Sequence, residues 1–140
     1  MNCNKQKRLD YILIWGNGQA FKKDIIQCIE QEHGLNILKI IDHHTSSVKK
    51  LVKTIYSYDY APFKHLKRKT KYLLKTPKEV TFIFVENIAV NEDYLGDGKY
   101  RHLECRNLKK VKELIRDKFN KKKNDRRTEN HVIHASEIKN

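Results

Sequence analysis

Residues 79–87 read "EVTFIFVEN", and the fold of the chain turns on them. Nine residues rich in Val, Phe and Ile, with Pro77 just before them, make the clearest strand in the sequence. Working back from Pro77, Phe63, Leu66, Thr70, Leu73 and Leu74 mark a helical stripe through "FKHLKRKTKYLLK" (63–75), preceded by a turn-like "YDYAP". Before that, "SSVKKLVKTIYS" carries Val48, Leu51, Val52 and Ile55 on one helical face, with Thr45 or Ser46 available as N-cap. "LNILKIID" (35–42) is β-rich and reads as a strand. Gly34 stops a helix over Gln19–Glu32 in which Phe21, Ile25, Cys28 and Ile29 recur at helical spacing. "LDYILIW" (9–15) is a buried strand that breaks at a Gly-Asn-Gly turn.

Working forward, "NEDYLGDGK" is loop and "YRHLECR" (100–106) alternates loosely as a short edge strand. Residues 107–119 form a helix through Leu108, Val111, Ile115 and Phe119. "NKKKNDRRTEN" is too polar to pack and is expected as exposed loop, and "HVIHAS" (131–136) closes with a short strand. This order predicts one α+β domain over 1–140: a ferredoxin-like βαββαβ sandwich, an antiparallel sheet with helices packed on one face. The ends, 1–8 and 136–140, are expected to be mobile.

At 140 residues there is material for one core, and no run approaches the ~20 apolar residues of a membrane span. With no apolar stretch for a signal peptide behind "MNCNKQKRLD", the expectation is a soluble cytoplasmic protein without a membrane partner. Cys3, Cys28 and Cys105 are odd in number and widely spaced, which excludes a zinc ribbon and argues against a disulfide framework. The net charge of +13 points to polyanionic partners, nucleic acid included. Its 23 lysines against 7 arginines fit a solvated lysine coat equally well.

Several short patterns offer chemistry beside plainer readings. "GNG" at a helix start could cradle phosphate on backbone N–H groups, or simply turn the chain. "DHHTS" (42–46) and "HAS" (134–136) are two H-x-[ST] tripeptides whose histidines would suit an acid–base pair of the 2H phosphodiesterase type; a capped helix start explains the first as well. His131 and His134 share a face on a helix but not on a strand, and no metal site is expected from them. Residues 106–127 hold eleven Lys or Arg against three acids, a phosphate-handling surface if they lie beside His134 and a solvated patch if they do not.

Taken in order, these pieces resemble the nucleoside diphosphate kinases over nearly the whole chain. The family's R-N-I-I-H-G-S-D motif is similar to "ENHVIHASE", which places His134 on the phosphorylated histidine and Ser136 on its supporting serine. "APFKHL" places Phe63 on the phenylalanine that stacks on the base, and Tyr56 lies near the active-site tyrosine. "KKVKELIRDKFN" resembles V-R-E-L-x-G-x-T-N-P, putting Lys112 on an arginine and Lys118 on a phosphate-binding threonine. Arg127, or Arg126, stands for the arginine of T-I-R-G-D-F, and Asn130 lies near the family's asparagine. The resemblance implies a phosphotransferase that carries a γ-phosphoryl group on His134, with a nucleoside di- or triphosphate as partner, Mg²⁺ arriving with the nucleotide, and self-association left open. The competing expectation is a non-enzymatic basic module that binds nucleic acid through 64–75 and 106–127.

Overall fold

The two-sided alternation of the first strand organises the molecule. In the computed structural model the order is β1 (Arg8–Ile14), a 3-10 turn (Gly16–Phe21), α1 (Lys22–Gln31), β2 (Leu35–His44), α2 (Val48–Ile55), α3 (Phe63–Leu73) and β3 (Glu79–Asn87). There follow β4 (Glu92–Leu95), β5 (His102–Cys105), α4 (Arg106–Phe119), β6 (Lys122–Lys123), β7 (Arg126–Arg127) and β8 (Ile133–Ala135). The structure describes residues 7–56, 63–90, 92–95, 98, 102–120, 122–124, 126–127 and 132–135.

The main sheet has the order β2-β3-β1-β8 and every neighbouring pair is antiparallel. Ile12 sits opposite Ile83 on one side and Ala135 on the other; Leu13 sits opposite Phe82 and His134. This is the expected α+β, ferredoxin-like sandwich. The clearest strand in the sequence, 79–87, is β3; it pairs along both edges, with β1 and β2, and buries side chains on both faces, Ile83 and Val85 on one and Val80 on the other.

One face carries Ile12, Ile14, Ile83, Val85 and Ile133, covered by Ile25, Cys28 and Ile29 of α1 and Leu108, Val111 and Ile115 of α4. Each fully buried aliphatic side chain here contributes about 1.5–3 kcal/mol. The other face carries Leu13, Trp15 and Val80, covered by Val48 and Val52 of α2 and Leu73 of α3. Helices on a single face were expected, and this second layer corrects that: Leu13 and Trp15 are as buried as Ile12 and Ile14, so both sides of β1 need a cover.

Local details correct the sequence reading further. Arg8, expected in a mobile end, opens β1 opposite Asn87. Residues 92–95, expected as loop, form β4 and pair with β5 in a separate hairpin, Glu92 opposite Cys105; the edge strand does not join the main sheet. Within the polar run after α4, β6 and β7 make a small hairpin, with Asn124 at φ 52 in the turn. The cap of α2 is Ser47, whose Oγ accepts from the Lys50 N–H at 3.2 Å, while Thr45 accepts from the Ser47 N–H instead. No described helix is long and apolar enough to cross a membrane.

Candidate functional site at His134

β8 is the outer strand beside β1, and strand alternation turns Ile133 and Ala135 to the α1–α4 face. His134 therefore faces the other way, with Leu13 and Tyr11, beneath the α2–α3 layer. Its ring centroid is 6.1 Å from that of Tyr11 and 4.6 Å from that of Tyr56, which meets it edge-on at the end of α2. The imidazole is 3% exposed.

Cations converge on this ring. Lys69 reaches in from α3, 8% exposed, with its ammonium 5.7 Å from the Tyr56 ring centroid and 5.9 Å from that of Trp15. Such cation–π contacts hold a desolvated ammonium at about 0.5–2 kcal/mol each. From the other side, α4 lies along β8 and brings Lys112, itself buried, and Arg116, whose Nη2 donates to the Ile133 carbonyl at 3.3 Å. Burial pushes the His134 pKa well below its ordinary value, and the positive charges of Lys69, Arg116 and Lys112 push it further the same way. The imidazole is neutral at pH 7. A neutral imidazole keeps a lone pair on one ring nitrogen, and here it does so in a positive field, which suits attack on an anionic phosphorus centre.

The structure brings His134, Tyr56 and Lys112 together. It separates Lys118, which lines a cleft of about 270 Å³ between α1 and α4 with Asp24, Gln27, Cys28, Gln31 and Phe119. On α4 the residues four and eight before Lys118 are Leu114 and Lys110, both exposed, so this side of the helix turns away from β8. Phe63 is the first residue of α3 and Arg127 lies on β7, but their side chains lie outside the described structure. Arg126 shares β7 with Arg127; Asn130, His131 and Ser136 lie outside the described residues.

Three residues of the His134 surroundings escaped the sequence reading: Lys69, Arg116 and Tyr11. For Lys69 a signal was present, because it falls between Leu66 and Leu73 on the apolar stripe of α3. Lys112 repeats the pattern between Leu108 and Ile115. A lysine in register with an apolar stripe is one whose charge the fold takes inside.

Two other patterns are resolved against chemistry. His43 and His44 end β2, at the opposite edge of the sheet from β8, so two whole strands separate them from His134, roughly 14 Å at the usual strand spacing. That excludes an acid–base pair. His44 instead contacts the carboxylate of Glu79 across the β2–β3 ladder. The first glycine of "GNG" is used for close packing: a Cβ at Gly16 would lie 1.9 Å from the Pro77 carbonyl oxygen. With a 3-10 turn intervening before α1, these residues do not open an α-helix as a phosphate cradle would require.

No family model matches the chain, and no curated protein matches it significantly. Among the described residues no group of three or more His, Cys, Asp or Glu is placed to hold a metal ion.

Proposed function

We propose that the chain is a nucleoside diphosphate kinase-like, nucleotide-binding phosphotransferase whose phosphoryl carrier is His134. The observation that supports this reading is the neutral imidazole set among Lys69, Lys112 and Arg116. In the first half-reaction a ring nitrogen of His134 attacks the γ-phosphorus of a nucleoside triphosphate. The N–P bond forms as the bond to the β–γ bridging oxygen breaks, and the electron pair leaves with the diphosphate. In the second, a terminal oxygen of another nucleoside diphosphate attacks the phosphorus, and the N–P bond returns its electrons to the imidazole. Mg²⁺ belongs to the nucleotide substrate in this scheme. Lys69, Lys112 and Arg116 balance the charge of the transferring group, and Tyr56 lies edge-on to the ring at the point where that group must approach. The resemblance extends the site to Phe63 for the base and to Ser136, Arg127 and Asn130.

The test is transfer of label from γ-radiolabelled ATP with Mg²⁺ to the protein. The reading expects an acid-labile, base-stable adduct on wild type that is absent from His134→Gln and discharged by added nucleoside diphosphate. A folded wild type that takes no label at high protein concentration refutes it.

A further inference from the structure

The α2–α3 layer that covers His134 has a second side. Together these two helices carry eight Lys or Arg and no Asp or Glu. Lys69 is turned inward, and the remaining seven, Lys49, Lys50, Lys53, Lys64, Lys67, Arg68 and Lys71, are exposed. None of the seven makes an ion pair among the described residues. On α3 the spacing of 64, 67, 68 and 71 is that of a single helical stripe, opposite the Leu66–Leu73 stripe that packs; 49, 50 and 53 form a similar stripe on α2. Because both helices pack on the same sheet face, both stripes look out to the same side of the molecule.

Like charges three and four residues apart each destabilise a helix by a few tenths of a kcal/mol, so this arrangement works against the folded chain on its own. A bound polyanion reverses the sign of that effect. The other basic helix is different in kind. α4 interleaves Glu113 and Asp117 with its cations, buries Lys112, and pairs Lys110 with Glu32 at 3.5 Å.

We propose that the outer side of the α2–α3 layer binds the phosphodiester backbone of nucleic acid. The four cations from Lys64 to Lys71 span about 10.5 Å of α3, a length over which duplex DNA carries about six phosphate charges on its two strands, so the stripe faces a denser line of negative charge than its own. A bilayer surface is the poorer complement: among the described side chains of this layer and its following turn, Leu74 is the one exposed large apolar group, too little to insert. The interaction reads no bases; it is a backbone contact. It is independent of the phosphohistidine reading, since it uses neither His134 nor a free nucleotide.

The experiment is fluorescence anisotropy of labelled 20-mer oligonucleotides, duplex and single-stranded, with the full chain between 50 and 200 mM salt. Engaging about five phosphates gives a log–log salt slope near −4.5 on duplex, a loss of roughly 500-fold over that range. Lys67→Ala/Lys71→Ala should weaken binding about 60-fold at 100 mM and flatten the slope by about two. Lys23→Ala/Lys110→Ala removes the same charge from the other layer and should leave the slope unchanged, with circular dichroism confirming the fold of both variants. Equal losses in the two variants would mean net charge alone and would overturn the assigned surface. So would the absence of binding at 50 mM, or a preference for phosphatidylserine vesicles over oligonucleotide.

Discussion

The burial of His134 makes the stability of the chain depend on pH in a specific direction. In the unfolded chain its imidazole takes up a proton near pH 6.5. In the folded chain burial and the three neighbouring cations hold proton uptake well below that. Above pH 6.5 both states are neutral at this group and it contributes no pH dependence. As pH falls below 6.5 the unfolded state gains a proton that the folded state refuses, so stability falls. The slope approaches 2.303RT, about 1.4 kcal/mol per pH unit, and continues until the folded imidazole itself titrates. With urea slopes of about 1–3 kcal/mol/M, that is a fall in the unfolding midpoint of roughly 0.5–1.4 M per pH unit below pH 6. The assay is urea unfolding of wild type and His134→Gln at half-unit steps from pH 8 to pH 5. His43 and His44, both exposed, and the acids are common to both proteins, so the difference between the curves isolates His134. Wild type should lose stability faster than the variant on the acid side and run parallel to it above pH 7. Parallel curves throughout would show that the imidazole protonates freely in the folded state, and the neutral-nucleophile argument would fail with it.

Lys69→Met keeps the length and apolar packing of the side chain but removes a charge that now disfavours protonation of His134; the imidazole's proton affinity should rise, read from ring proton shifts in an NMR titration. Gly16→Ala places a methyl group inside the Pro77 carbonyl and should cost about 3 kcal/mol or more by urea unfolding, beyond the usual range for overpacking because backbone must move.

Much of the architecture was legible in periodicity. Five Val, Phe and Ile residues among the nine of "EVTFIFVEN" read as β3, and helical stripes such as Ile25–Cys28–Ile29 and Leu108–Val111–Ile115 marked the helices that cover one face. Those signals survive because the pattern of a single element records which of its sides is buried. The same rule carried a warning in Lys69 and Lys112, which sit on apolar stripes. What covers a buried side is not recorded in this way. Leu13 and Trp15 required a cover, but only the packed structure shows that α2 and α3 supply it from the second face. Nor could local pattern find β4, where "EDYL" is polar and becomes strand through its partner at 102–105.

The candidate site divides along the same line. Sequence by itself pointed to a short strand over 131–136, on which His134 alternates with its apolar neighbours Ile133 and Ala135, because a period of two leaves no other choice. It also determined an excess of positive charge and the absence of acids from α2 and α3. Tertiary structure alone decided that β8 lies beside β1 while "DHHTS" ends at the far edge, so that two similar tripeptides are kept apart. It alone decided that Lys69, Lys112 and Arg116 lie near enough for their charges to disfavour protonation of the imidazole, whereas Lys118 turns to the cleft between α1 and α4. The physical reason is that strand order and helix placement rest on contacts between residues far apart in the chain, whose energies no local spacing expresses. A charge run becomes a site or a solvated coat according to which way its helix is rolled onto the sheet.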